Sequence, residues 1–179
     1  MMKPNLEDNP EILIDTAVLQ ARIKELAANM QVNGLPDSVM LIALLKGGFM
    51  FAGDLFKELG LLGLSPRIDF MRLSSYGKAK TSSGEVILAG PTPDVQGQDV
   101  LLVDDILDTG RSLLFAHEFF KDKGAKSVTS CVLLDKPERR MVKMEADYVG
   151  FNVPDRFIVG YGIDYAEKYR YLPHIAAID

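Results

Sequence analysis

The chain has 179 residues, of which 47% are hydrophobic, and this suits one domain with a substantial core. Its 20 basic and 25 acidic residues give a net charge of −5, which disfavours a nucleic-acid-binding surface. No apolar run approaches the length of a membrane span, the polar start is unlike a signal peptide, and the single cysteine cannot form an intramolecular disulfide, so we expect a cytoplasmic protein.

Helices and strands are predicted in alternation along most of the chain. Apolar residues recur at helical spacing over residues 16–30, with Asp15 or Thr16 as the cap, and again over 49–59, closed by Gly60. Strands are predicted over residues 39–45, 66–73, 86–88, 100–103, 128–134, 158–161 and 175–178. This alternation indicates an α/β fold with a parallel sheet.

The most informative segment is Val100–Ser112, VLLVDDILDTGRS. A strand buried on both faces is predicted to stop at two carboxylates, Asp104 and Asp105, and a helix is predicted to follow the segment and end at Gly124. The turn between them consists of Asp108, Thr109, Gly110, Arg111 and Ser112. Backbone N–H groups, hydroxyls and an arginine before a helix suit a phosphate monoester, while paired carboxylates suit sugar hydroxyls or hydrated Mg²⁺. The segment therefore predicts a site for a phosphorylated ribose.

A structural alternative for this turn is a plain helix cap, with Asp108 or Thr109 as the N-cap. The ordered run of polar residues and glycine disfavours it. The common nucleotide-binding patterns GxGxxG and GxxxxGK[ST] are absent from the chain.

A second glycine-containing turn, Lys46-Gly47-Gly48, follows the strand predicted over 39–45. Glycines let the backbone approach a polyanion closely and Lys46 adds a positive charge, although a plain strand-to-helix turn is the alternative. Ligands of parallel sheets bind at the carboxyl ends of strands, and both turns lie there. By themselves, Lys136 and Phe157 would be interpreted as a solvated strand end and a core residue.

The segment 100–112 resembles the 5-phosphoribosyl diphosphate (PRPP) signature of the type I phosphoribosyltransferases. Other segments resemble the hypoxanthine-guanine branch of that family, namely Leu45–Gly48, Ser74–Gly77, Leu134–Lys136 and Val153–Tyr165. The resemblance extends from about Ile12 to Ile178. It implies a type I phosphoribosyltransferase fold in a single domain over residues 1–179, with a Rossmann-like parallel sheet flanked by helices. The core would span about 37–150, and the N-terminal segment and about 151–179 would form a small hood.

The resemblance also implies a role for individual residues. It assigns the ribose and 5′-phosphate to Asp104, Asp105, Asp108, Thr109, Gly110, Arg111 and Ser112. It assigns the pyrophosphate to Lys46, Gly47 and Arg170, and Mg²⁺ to Asp104, Asp105 and Asp164. It assigns the purine to Lys136, Phe157, Ile158 and Asp164. Asp108 would act as the general base, Lys136 would select a 6-oxo group, and Ser75 and Tyr76 would belong to a lid loop over the site.

The activity that the resemblance implies is transfer of 5-phosphoribosyl from PRPP to N9 of hypoxanthine, and also of guanine, giving IMP or GMP and pyrophosphate in purine salvage. The alternatives are a xanthine-preferring enzyme and a nucleotide-sensing RNA-binding regulator on the same fold. The net charge and the presence of Asp108 count against the regulator. The expected partners are these small molecules and further copies of the chain in a homodimer or homotetramer, without nucleic acid or membrane.

Overall fold

The computed structural model describes residues 10–75 and 86–178, and within these ranges it contains nine strands and three α-helices. The strands are β1 (Glu11–Ile14), β2 (Met40–Leu45), β3 (Arg67–Ser75), β4 (Val86–Leu88), β5 (Asp99–Leu107), β6 (Ser127–Asp135), β7 (Tyr148–Asn152), β8 (Phe157–Val159) and β9 (Ile175–Ile178). The helices are α1 (Thr16–Val32), α2 (Phe49–Leu61) and α3 (Arg111–Asp122), and a 3-10 turn covers Pro137–Arg139.

A six-stranded sheet in the order β4-β3-β2-β5-β6-β7 forms the centre of the fold. Strands β2, β3, β5, β6 and β7 run parallel, and the edge strand β4 is antiparallel to β3. The central strands β2 and β5 are apolar along most of their length because helices cover both faces of the sheet. The predicted α/β fold with a parallel sheet flanked by helices is confirmed.

Alternate residues of β2 belong to two separate hydrophobic clusters. Leu41 and Ala43 pack in the cluster that contains the buried residues of α1 and α2. Ile42 and Leu44 pack in the cluster that contains the buried residues of α3. This two-residue period places α1 and α2 on one face of the sheet and α3 on the other.

A second, three-stranded antiparallel sheet has the order β1-β9-β8 and is built from the two ends of the described chain. Its registers pair Glu11 with Ala177 and Phe157 with Ile178. Ile158 and Ile175 from this sheet pack into the cluster under α1 and α2, which joins the small sheet to the main one.

The structure corrects two predicted boundaries. Strand β5 does not stop at Asp104 but continues to Leu107, because its backbone keeps pairing with β6 up to Leu107 opposite Asp135. Helix α2 is not closed by Gly60, which lies inside it, but ends before Gly63. Gly63 adopts a φ of +92°, the left-handed conformation typical of the residue that follows a helix.

Strands β1 and β7 were not predicted, and β8 ends at Val159 rather than residue 161. Both missed strands lie at sheet edges and are only partly buried, so their side chains lack a clear two-residue hydrophobic period. The Asp15 cap of α1 is confirmed, because its carboxylate accepts hydrogen bonds from the N–H groups of Ala17 and Val18. Among the described residues no helix combines the length and apolarity needed to cross a membrane.

Candidate active site

A cavity of about 600 Å³ opens at the carboxyl ends of β2 and β5, where both predicted turns lie. Its polar lining contains Lys46, Gly47, Asp104, Asp105, Asp108, Thr109, Gly110, Arg111 and Ser112. Its apolar lining comes from Leu44, Leu45, Leu73, Val86, Ile106, Leu107 and Leu113. Two turns that lie about sixty residues apart in the chain therefore face one concave space.

The turn after β2 approaches β5 so closely that only glycine fits there. A Cβ atom at Gly47 would overlap the carboxylate of Asp105, and one at Gly48 would lie 2.8 Å from the carbonyl oxygen of Leu44. The peptide bond between Leu45 and Lys46 is cis. The close fit puts the backbone of this turn directly against the paired carboxylates.

Asp104 and Asp105 lie side by side near the end of β5. Asp104 is 9% exposed, and its Oδ1 accepts a hydrogen bond from the N–H of Asp105 at 3.0 Å. Burial and the neighbouring negative charge raise the pKa of Asp104, and burial raises the pKa of Asp105. A bound cation would relieve this repulsion, and Mg²⁺ is typically held by one or two carboxylates together with substrate phosphates. The donor set therefore fits a magnesium ion that arrives with a phosphorylated ligand.

The turn at residues 108–112 leads directly into α3. The residue before the helix is Gly110, with a φ of +86° and no side-chain capping bond, so the helix-cap alternative for Asp108 or Thr109 is wrong. Thr109 Oγ1 accepts a long hydrogen bond of 3.5 Å from the N–H of Arg111, and the other N–H groups of the first helical turn and the positive end of the α3 dipole face the cavity as donors for an anion.

Of the predicted purine residues, Lys136 directly follows β6 and lies beside this turn, because its N–H donates to the carbonyl oxygen of Leu107 at 3.0 Å. Phe157 and Ile158 open β8, and Asp164 follows that strand. Lys136 is 7% exposed, and its Nζ donates a hydrogen bond of 2.6 Å to the carbonyl oxygen of Arg156. Burial lowers the pKa of Lys136. Ile158 is buried on β8, and the half-buried ring of Phe157 meets that of Tyr165 edge to face at 5.7 Å.

Arg139 links Asp108 in the turn before α3 to Asp155 in the loop after β7. Its Nε donates to Oδ1 of Asp108 at 2.6 Å and its Nη1 to Oδ1 of Asp155 at 3.1 Å. Lys136 lies close enough for both carboxylates to act on its charge. The predicted base Asp108 and the predicted purine residue Lys136 therefore share one charged network.

The predicted pyrophosphate residues meet at a third cluster. Nη2 of Arg170 lies 2.7 Å from Oδ1 of Asp164, and its Nη1 donates to the carbonyl oxygen of Gly162 at 2.6 Å. Within the described part of the chain, Nε of Arg170 is buried without a hydrogen-bond partner. Glu167 lies between the two cations, 2.9 Å from Nζ of Lys46 and 3.6 Å from Arg170. The structure thus brings Lys46, Asp164 and Arg170 together.

Contacts from the C-terminal segment hold this cluster against the main sheet. A Cβ atom at Gly162 would overlap the carbonyl oxygen of Gly47, so the two turns touch through their backbones. The neighbouring Tyr161 hydroxyl donates to the carboxylate of Asp54 on α2, which also accepts from Nε2 of Gln20 on α1 at 2.9 Å.

The predicted lid residues are only partly covered by the structure. Ser75 ends β3, where its backbone is in register with Val86, while Tyr76 lies outside the described residues. Among the residues that are described, no group of three or more acidic, histidine or cysteine side chains is arranged to hold a metal ion. Asp164, the third predicted Mg²⁺ ligand, forms an ion pair with Arg170 and is not grouped with Asp104 and Asp105.

Four residues of the site were not predicted: Arg139, Arg140, Asp155 and Glu167. Their contacts join residues up to 121 positions apart, which no local pattern encodes. The one available signal was the charged run Lys136–Arg140 directly after a predicted strand, at the end of the sheet where ligands bind.

Comparison with known proteins agrees with this geometry. Residues 4–166 match the family model of the phosphoribosyl transferase domain. The chain is 41% identical over 171 residues to the hypoxanthine phosphoribosyltransferase of Escherichia coli K12, which covers 94% of each chain. It is 41% identical over 179 residues to the hypoxanthine-guanine phosphoribosyltransferase of Bacillus subtilis, covering 99% of this chain and 96% of that one. A crystal structure of a hypoxanthine-guanine phosphoribosyltransferase from Bacillus anthracis superposes with a TM-score of 0.88 at 42% identity, covering 96% of this chain and all of the other.

Proposed function

The chain belongs to the phosphoribosyltransferase family, and we propose that it transfers the 5-phosphoribosyl group of PRPP to N9 of hypoxanthine or guanine. The products are IMP or GMP and pyrophosphate, and the metabolic role is purine salvage. The Escherichia coli and Bacillus subtilis relatives are named for hypoxanthine and for hypoxanthine and guanine. Neither is named for xanthine or for RNA binding, so the two alternatives gain no support.

The observation that carries the proposal is the shared cavity. One wall presents the helix-start turn 108–112, a second presents the carboxylate pair Asp104–Asp105, and a third presents the Lys46-Gly47 backbone. These walls match a phosphate, a diol and a second polyanion, which is the order of groups along PRPP. A ligand with only one phosphate would leave one wall of this cavity without a partner.

We assign the 5′-phosphate to the turn at residues 108–112, where backbone N–H groups and the hydroxyls of Thr109 and Ser112 supply donors. Asp104 and Asp105 accept hydrogen bonds from the ribose hydroxyls, and the same pair would hold Mg²⁺, which would supply positive charge beside the pyrophosphate. Asp164 is a further candidate ligand once Arg170 turns from it to the pyrophosphate.

Lys46, Arg170 and the backbone of Gly47 receive the pyrophosphate. The unpartnered, buried Nε of Arg170 supports this assignment, because a buried donor without an acceptor is costly and a polyanion supplies the acceptor. Glu167, which contacts both cations in the ligand-free protein, has to move away when the pyrophosphate binds.

The purine lies toward Lys136, whose ammonium donates to O6 of hypoxanthine or guanine. Adenine carries an amino group at this position and offers no acceptor, so the lysine selects against it. Phe157 stacks on the base, and the backbone of Ile158 and the carboxylate of Asp164 complete the pocket. The burial of Lys136 strengthens its single hydrogen bond to the base.

The reaction breaks the bond from C1′ to the pyrophosphate oxygen and forms the bond from C1′ to N9. Positive charge grows on the ribose as negative charge grows on the leaving group, so positioning and electrostatic stabilisation are the main contributions of the protein. The purine loses its ring proton to the carboxylate of Asp108, which opens the turn at residues 108–112 and lies close enough to Lys136 to act on its charge. A lid containing Ser75 and Tyr76 would exclude water from the reacting carbon.

The direct test is nucleotide formation from PRPP with Mg²⁺ and each of five bases: hypoxanthine, guanine, xanthine, adenine and uracil. We expect IMP and GMP, with little product from the other three. Product from xanthine, adenine or uracil at a higher rate would contradict the assignment of the base, and the lack of any product would contradict the transferase activity.

We also propose that the chain acts in the cytoplasm as a homodimer or homotetramer. Exposed apolar side chains such as Phe49, Phe70 and Ile87 would be covered by such assembly. Light scattering of the purified protein measures its mass directly, and a monomer at micromolar concentration would contradict the proposal.

A further inference from the structure

Two consecutive arginines hold Asp108 at both its backbone and its side chain. Arg140 donates from Nη1 to the carbonyl oxygens of Leu107 at 3.0 Å and Asp108 at 2.6 Å. Arg139 donates from Nε to the Asp108 carboxylate at 2.6 Å. We propose that Arg139 is a positioning residue that orients the Asp108 carboxylate toward the purine, an inference that rests on the proposed function.

The backbone around the arginines is itself attached to the turn that carries Asp108. The N–H of Lys136 donates to the carbonyl oxygen of Leu107 at 3.0 Å, and the N–H of Met141 donates to that of Thr109 at 3.0 Å. The 3-10 turn at Pro137–Arg139 therefore runs alongside residues 107–109 with a hydrogen bond at each end. This arrangement places the backbone of Arg139 next to Asp108, within reach of its guanidinium.

Arg140 supplies the fixed end of the arrangement. Its Nη2 forms an ion pair with Asp135 at the end of β6, and both side chains are only 16% exposed. Its Cδ would lie 3.0 Å from a Cβ at Gly110, so the aliphatic part of Arg140 also packs against the turn at residues 108–112. Arg140 thereby links the end of β5 to the end of β6. In the parts of the chain that the structure describes, it fixes the backbone of Asp108 but makes no contact that would orient the Asp108 carboxylate.

Arg139 determines that orientation through two carboxylates. It links Asp108 to Asp155, and both raise the pKa of its guanidinium, so Arg139 stays charged throughout the assay range. Asp155 lies two residues before Phe157, and Lys136 responds to the charge of both carboxylates. Arg139 thus holds the Asp108 carboxylate on the side of the turn where Lys136 and the proposed purine pocket lie.

The partial exposure of the network argues against a mainly structural role. The side chains of Arg139, Asp108 and Asp155 are 30%, 39% and 41% exposed. Ion pairs this accessible to water contribute little to folding, so their removal should change Tm only slightly. A misoriented proton acceptor, in contrast, directly lowers the rate of the chemical step.

The test is a double-mutant cycle with Arg139→Gln and Asp108→Asn, measured as single-turnover rates with PRPP saturating. We expect Arg139→Gln to lower the rate about tenfold, equivalent to about 1.4 kcal/mol, while the Kd of PRPP and Tm change little. In the Asp108→Asn background the same substitution should have almost no further effect, because Arg139 acts through that carboxylate. Arg139→Lys should restore part of the rate, since it retains a charged donor.

Lys143→Gln is the matched control, because it removes one positive charge from an exposed position of the same loop. An unchanged or faster rate in Arg139→Gln would overturn the proposal, the faster rate showing that the ion pair restrains the enzyme. Equal losses in both backgrounds would also overturn it, because Arg139 would then act elsewhere. If Asp108→Asn keeps the wild-type rate, Asp108 is not the base and the inference about Arg139 is wrong. A wild-type protein that forms neither IMP nor GMP, in contrast, contradicts the proposed function itself.

Discussion

The ammonium of Lys46 lies 2.9 Å from the carboxylate of Glu167, across 121 positions of sequence. The other carboxylate oxygen of Glu167 lies 3.6 Å from Nη2 of Arg170. The hydrogen bond from Lys46 lowers the pKa of Glu167, so the carboxylate stays charged at neutral pH. One exposed side chain therefore occupies both cations that we assign to the pyrophosphate.

Glu167→Gln should strengthen the binding of pyrophosphate about two- to fivefold, because the ligand no longer competes with a carboxylate. Isothermal titration of pyrophosphate in the presence of Mg²⁺ measures this, and the gain should shrink as ionic strength rises. Glu118→Gln, an exposed position on α3, is the matched control for the loss of one negative charge. Unchanged or weaker binding in Glu167→Gln would contradict the prediction.

Asp104→Asn should raise the stability of the ligand-free protein. Because burial and Asp105 raise the pKa of Asp104, its contribution to stability is complete below the unfolded pKa, about 3.9, and is lost as pH rises through the folded pKa. We expect Tm at pH 7 to increase by about 2–4 °C, equivalent to about 1 kcal/mol, with a smaller difference near pH 4.

The stabilisation by PRPP and Mg²⁺ together should be smaller in Asp104→Asn than in the wild type, because the variant has lost a ligand-binding carboxylate. The amide oxygen can still accept the hydrogen bond from the N–H of Asp105, which makes the substitution nearly isosteric. Differential scanning calorimetry with and without these ligands separates the two effects. A lower Tm at pH 7 without ligand would show that Asp104 is a structural residue.

Lys136→Met should weaken the binding of IMP about 10- to 100-fold, the cost of losing a hydrogen bond from a buried charge. PRPP binding, measured in the same titration series, should remain within about twofold, because the lysine faces the purine side of the site. Equal losses for IMP and PRPP would contradict the assignment of Lys136 to the base. Burial lowers the pKa of Lys136, so this lysine loses its proton at a lower pH than an exposed lysine does. The affinity of the wild type for IMP should therefore begin to fall at a lower pH than it would with an ordinary lysine at this position.

Tyr161→Phe should destabilise the fold through Asp54. Burial raises the pKa of Asp54, but hydrogen bonds from Tyr161 and Gln20, with the nearby Lys57, outweigh it and lower the pKa. Burial and the bond to Asp54 raise the pKa of Tyr161. The stabilisation by this pair is complete between the unfolded carboxylate pKa, about 3.9, and the unfolded tyrosine pKa, about 10. It is lost as pH falls through the folded pKa of Asp54 or rises through the folded pKa of Tyr161.

The expected loss in Tyr161→Phe at pH 7 is about 1–2 kcal/mol, or about 2–8 °C in Tm. The difference from wild type should shrink above pH 10 and below pH 3, as thermal unfolding across that range would reveal. Tyr148→Phe is the control, because its hydroxyl accepts a long bond of 3.4 Å from exposed Asn33, and the loss of this bond should cost less than about 0.5 kcal/mol. A pH-independent loss in Tyr161→Phe would indicate altered packing instead.

The part of the site that residue patterns predicted without the family resemblance is the part built from consecutive residues. The turn at residues 108–112 and the Lys46-Gly47 turn each combine a strand end, a glycine and a helix start within a few positions. Their place in one cavity followed from the rule that parallel strands gather their carboxyl ends at one edge. The strands β2, β5 and β6 were predicted for a similar reason, since burial on both faces leaves mostly apolar residues in consecutive positions.

Only the tertiary structure decided the features that depend on residues far apart in the chain. Strand β5 passes through Asp104 and Asp105 because β6 continues to pair with its backbone, whatever the side chains are. The ion pairs of Arg139 with Asp108 and of Lys46 with Glu167 join separate loops, and charged residues in loops carry no periodic signal of their partners. The sequence by itself thus determined the two glycine-containing turns and the type of fold, because these depend on local backbone and burial. The charge network around those turns was decided by folding, because a side chain at the surface can meet its partner only where the backbone brings them together.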